Sequence, residues 1–182
     1  MTLVRVTFIA SLLLMCPALS SAQTAPGCGP ASIKFDISTT KQPSVAPAPQ
    51  AGKALVYFLQ DDLKYNTAPR PTTRFGVDGA WVGATHANSY FFIFVDPGEH
   101  HLCANWQSDR TGLNWIGHKR STAAAQFTAE IGKIYYFRAQ DIVRVDDNRI
   151  VSAPEVILSP LDSDEAQVIM NSFSLSSSHP RK

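Results

Sequence analysis

The sequence predicts an all-β fold: an antiparallel β-sandwich or small barrel of seven or eight strands, with one short C-terminal helix. Three observations carry that reading. Apolar and aromatic runs of strand length recur along the chain, and turn dipeptides separate them at close spacing. Residues 122–131 alternate apolar and polar side chains with the period of two that a half-buried strand requires.

The first such run is Ala54-Leu55-Val56-Tyr57-Phe58-Leu59, bounded by Gly52 and by Asp61-Asp62. Residues 74–77 and 80–83 flank Asp78-Gly79, a pair suited to a type I′ hairpin turn because both central residues need positive φ. Residues 90–95 are apolar on both faces, as expected of a central strand covered on each side. Pro97 then presets φ and Gly98 accepts a left-handed turn position, after which residues 101–107 resume with Leu102, Ala104 and Trp106 on one face. In residues 122–131 the apolar face is Ala123, Ala125, Phe127, Ala129 and Ile131. Gly132-Lys133 turns the chain into residues 134–139, read as the hairpin partner of that strand. A last short strand, residues 156–158, is closed by Pro160. Asp162 and Glu165 have capping-box spacing ahead of Ala166-Gln167-Val168-Ile169-Met170, which predicts a helix ending near Asn171. Gly79, Gly83, Gly98 and Gly132 all read as turn residues.

The ends of the chain have a different character. Arg5 is the only charge before Lys34, and the apolar run that follows it is too short to span a bilayer. With the small residues Ser20-Ser21-Ala22, residues 1–22 read as a signal peptide cleaved before Gln23. Met15 ahead of Cys16 is too large for the lipoprotein pattern. The expected organisation is an N-terminal arm with Cys28 over 23–37, a Pro-rich linker over 38–52, the β-sandwich domain over 53–172 and a flexible tail over 173–182. This mature chain is expected to carry no transmembrane segment and to be soluble in the periplasm or outside the cell.

The 182 residues carry 16 basic and 15 acidic groups, a formal charge of +1, so no strong field favours nucleic acid. The hydrophobic fraction of 45% is enough to bury a core.

Four segments, Leu55-Val56-Tyr57-Phe58, Val77-Asp78-Gly79-Ala80-Trp81-Val82-Gly83, Asn88-Ser89-Tyr90-Phe91 and Pro97-Gly98-Glu99-His100-His101-Leu102, together resemble domain of unknown function 2846, a bacterial family. The likeness spans about residues 53–161, and similar hairpins occur in PEGA surface-layer modules. Both resemblances imply secreted or envelope β-domains without an established catalytic site.

Nucleophile elbows, P-loops, Rossmann glycine fingerprints and zincin helices are absent from the sequence as written motifs, and it points to no cofactor. A metal site of His86 with His100 or His101 and His118 is one conceivable arrangement, although adjacent residues on a strand face opposite ways and exposed turn histidines are the preferred reading. Of the aromatic residues Tyr65, Trp81, Trp106 and Trp115, most read as packing. The segment 108–121 differs, because Arg110, His118, Lys119 and Arg120 gather donors around Trp115 where strand signals are few. It is the candidate recognition surface, the alternative being a solvated hairpin loop.

After signal removal Cys28 and Cys103 are the only cysteines, and an oxidising compartment favours their pairing. Cys103 lies on the face opposite Leu102, Ala104 and Trp106, where an arm laid across the sheet can reach it. The alternative is a buried thiol at Cys103 with Cys28 loose or joined to another chain. The leading functional expectation is a non-enzymatic exported β-domain that binds another envelope component, a protein or a glycan. A metal-dependent or other envelope hydrolase and a purely structural surface module are the competing readings.

Overall fold

The computed structural model describes residues 27–41, 47–48, 50–62, 72–107, 122–142 and 155–182. Ten strands and one helix follow one another among them: β1 (Phe35–Lys41), β2 (Ala54–Gln60), β3 (Thr73–Val77), β4 (Ala80–Thr85), β5 (Ser89–Val95), β6 (Gly98–Trp106), β7 (Thr122–Ala129), β8 (Ile134–Ile142), β9 (Glu155–Leu161), α1 (Ser163–Met170) and β10 (Ser174–Pro180). They form two sheets, one of six strands in the order β1-β10-β5-β2-β8-β9 and one of four in the order β4-β3-β6-β7. Two separate sheets make this a sandwich.

All seven residues of β2 are buried, and the reason is cover on both faces. Ala54, Val56 and Phe58 point into the space between the sheets, where they meet Phe75 and Val77 of β3, Leu102, Ala104 and Trp106 of β6, and Phe137 of β8. Leu55, Tyr57 and Leu59 point outward and are covered by Ala166 and Met170 of α1 together with Phe173, Tyr90 and Tyr136. Phe58 contacts the rings of Phe75 and Phe91 at centroid separations of 5.0 and 5.2 Å, within the favoured range for aromatic pairs.

The Asp78-Gly79 turn has φ of 51° and 84°, both positive as a type I′ hairpin demands. Gly98 takes φ 134°, a conformation that side chains resist. The Asp162 side chain caps α1 by accepting from the backbone N–H groups of Asp164 and Glu165, at 2.9 and 2.8 Å. Glu165 itself bonds Arg138.

Several sequence expectations need correction. The chain turn at Gly132 does not close a hairpin: β7 pairs with β6, whereas β8 pairs in parallel with β2. Hydrogen bonds from Gly132 N to Lys53 O and from Leu55 N to Lys133 O dock this turn on the start of β2, so the chain changes sheets there. Ile131, expected on the buried face, is consequently a turn residue and 62% exposed.

The tail is a strand. β10 pairs antiparallel with β1 along seven residues and in parallel with the start of β5. Its serines hide this from a hydropathy pattern, yet Ser178 Oγ accepts from Ala84 N and Ser176 Oγ donates to Ala84 O, joining β10 to β4 of the other sheet. For the same reason the expected linker is shortened, because residues 38–41 belong to β1. Finally, Pro160 lies within β9; this strand is at the sheet edge, where a missing N–H is tolerated.

Candidate functional site

The registers sort the connections between strands by length. In the four-stranded sheet Thr73 faces both Thr85 and Trp106, and Asn105 faces Thr122, so β3 and β7 start where β4 and β6 end. In the six-stranded sheet Gln60 faces both Ser89 and Ala139, and Ile142 faces Glu155. Thr85 Oγ1 donates to Gln60 Oε1 at 2.8 Å, which ties these two sets of strand ends together. The strand ends that bound the connections 63–71, 108–121 and 143–154 therefore all lie at one end of the sandwich. The opposite end is closed by the short turns at 78–79, 96–97 and 130–133. Trp115, Arg110, His118, Lys119, Arg120 and Tyr65 lie outside the described residues.

The expected cysteine pair is bonded. Cys28 and Cys103 have Cα atoms 5.1 Å apart across a sequence separation of 75, with Cys103 only 1% exposed. The arm from Gly27 crosses the outer face of the four-stranded sheet, so close that a Cβ on Gly76 would stand 2.5 Å from Gly27 O. Arg74 sits beneath it, donating to Ala31 O, to Ile33 O and to Asn105 Oδ1, with its guanidinium 4.2 Å from the centroid of the Trp81 ring. Trp81 Nε1 donates to Pro30 O at 2.8 Å. Trp81 thus serves the arm, and Trp106 is core. Phe35, next along the arm, enters β1 and is held by Gln107, whose amide accepts from Phe35 N and donates to Phe35 O at 2.6 Å each. From Phe35 onward the chain forms the edge strand of the other sheet.

The histidines are separated by the topology. His86 follows β4 at the end that carries the long connections, where its Nδ1 meets Thr72 Oγ1 at 3.2 Å. His101 lies five positions before Trp106 on β6, which is about 17 Å of extended chain at roughly 3.3 Å per residue. A metal site that joins His86 to His100 or His101 is excluded by that distance. His100 Nδ1 contacts Asp78 Oδ2 at 2.6 Å and its Nε2 contacts Asp96 O at 2.8 Å. Both partners are acceptors, so the imidazolium satisfies the site best. Burial of the ring opposes its charge, but the bonds to Asp96 O and to Asp78 outweigh that and hold its pKa above the usual value. Burial likewise raises Asp78, while the His101 backbone N–H and the His100 ring bring its pKa below the usual carboxylate value. This brace between two turns is invisible in the sequence until Val77 is set opposite Leu102. His101 turns the other way, toward Glu99 at 3.4 Å.

A groove of about 700 Å³ opens between α1 and the end of the six-stranded sheet that carries the long connections. Val168, Ile169 and Phe173 supply its apolar wall, and Asp61, Asp62, Asp164 and Glu165 its carboxylates. Arg138 is the one guanidinium among its described residues, bonded to Glu165 at 2.9 Å and 3.8 Å from Asp61. Sequence reading missed this site because its residues come from the segment after β2, from β8 and from α1 with the turn after it. Beside it, burial, with Tyr136 and Tyr90 as neighbours, pushes the Tyr57 hydroxyl up to about 12, so Tyr57 stays neutral and serves packing. Among the described residues no cluster of three or more metal-ligating side chains occurs, and no helix is long and apolar enough to cross a membrane.

No family model, curated protein or solved structure matches this chain.

Proposed function

We propose that this protein is an exported, non-enzymatic β-sandwich that binds another envelope component through the end of the sandwich that carries the long connections. The observation behind this reading is the convergence of the strand ends that bound residues 63–71, 108–121 and 143–154 at one end. A rigid sandwich that presents several long connections at one end suits recognition, because the scaffold carries the stability and the connections are free to vary. Residues 108–121 contribute Trp115 with Arg110, His118, Lys119 and Arg120, an aromatic among hydrogen-bond donors. Export is supported by the signal-like residues 1–22 and by the Cys28–Cys103 bond, since such bonds persist in oxidising compartments. The resemblance to domain of unknown function 2846 points the same way.

The test compares capture of envelope components by the parent and by Trp115→Ala, alongside thermal melting of each. Lost capture with an unchanged melting temperature supports the reading. A variant that melts far below the parent makes Trp115 a core residue and removes the proposed contact.

A further inference from the structure

We propose that the groove beside α1 docks a short cationic peptide segment of a partner protein, one that carries lysine or arginine next to an apolar side chain. This goes beyond the Trp115 reading and does not depend on it.

Charge complementarity decides the sign of the occupant. Among the described residues four carboxylates line the groove against one guanidinium, and that guanidinium already faces two of them, Glu165 and Asp61. Two of these carboxylates, Asp164 and Glu165, lie in the first turn of α1. An anionic segment would meet repulsion here, whereas an ammonium or guanidinium gains attraction to several carboxylates. The apolar wall decides the rest. Val168 is 72% exposed in the middle of this wall, the most exposed large hydrophobic residue among those described. A simple cation would leave it in water; an apolar side chain beside the charge covers it and removes apolar surface from solvent. The volume is in the range that accommodates a few side chains.

The experiment uses the full-length mature protein and a fluorescein-labelled hexapeptide of alternating leucine and lysine, with the leucine–glutamate counterpart as control. Binding is followed by fluorescence anisotropy for the parent, Val168→Lys and Asp164→Asn. Both positions are exposed, so melting curves of the variants should overlay the parent's. The expected result is binding of the lysine peptide alone, weakened by added salt and by about tenfold or more in Val168→Lys, with a smaller loss in Asp164→Asn. The proposal is overturned if the lysine peptide fails to bind, if the glutamate peptide binds equally well, or if Val168→Lys binds as the parent does.

Discussion

The brace of His100 between Asp78 and Asp96 makes the stability of the tight-turn end depend on pH, with opposite signs for its two titrating members. His100 has its pKa raised above 6.5 in the folded protein, so its contribution is complete below that value and is lost as pH rises through the folded pKa. Asp78 has its pKa lowered from 3.8, so its contribution is complete above that value and is lost as pH falls through the folded pKa. Stabilisation by the pair is therefore greatest between these limits and declines on either side. A charge-assisted hydrogen bond contributes about 1.5–3 kcal/mol when sheltered. The His100 side chain is 12% exposed but that of Asp78 is 46% exposed, which reduces the figure to about 1–1.5 kcal/mol. For a domain of this size that amounts to about 2–6 °C in melting temperature. The perturbation is Asp78→Asn, which keeps an acceptor for His101 N and a residue well suited to the turn while removing the charge. Melting curves between about pH 5 and pH 9 should show the parent losing this increment as pH rises through the raised His100 pKa and Asp78→Asn losing markedly less. His100→Gln should be flat over the same interval. Parallel pH profiles for the parent and both variants would refute the reasoning.

The disulfide closes a loop across a separation of 75, which corresponds to about 4.5 kcal/mol in the chain-entropy treatment. The double variant Cys28→Ser, Cys103→Ser should accordingly melt about 10 °C or more below the parent; a difference within error would mean that the arm adds nothing to folding. Gly76→Ala sets a methyl group against the Gly27 carbonyl, a backbone atom with little freedom to move, and should cost about 1–3 kcal/mol in denaturant unfolding. A neutral result there would show that the arm lifts freely from the sheet. Intact-mass measurement of exported protein should give a chain that starts at Gln23 without lipid, and an acylated species starting at Cys16 would contradict it.

Much of the fold is legible in the sequence because strand periodicity and turn chemistry are local. The Asp78-Gly79 hairpin needs only two residues that accept positive φ, and the placement of Cys103 opposite Leu102 and Ala104 needs only the alternation of a strand. Even the disulfide follows once two cysteines remain in an oxidising setting. What sequence patterning leaves open is which strand lies beside which. The turn at Gly132 looks like any hairpin turn, and only its docking on Lys53 and Leu55 sends β7 and β8 into different sheets. β10 was hidden because its residues are mostly serine; its place follows from hydrogen bonding to β1 and β4, which no hydrophobic period records. The groove and the His100 brace are likewise products of long-range register. Asp61 and Glu165, or Asp78 and His100, meet only after the sheets have formed. Local rules therefore determined most of the elements and the tight turn at Asp78-Gly79, and the cysteine count gave the cysteine partners. The two sheets, the end at which the long connections gather and both charged sites were decided by tertiary packing, because the energies that select them act between residues distant in the chain.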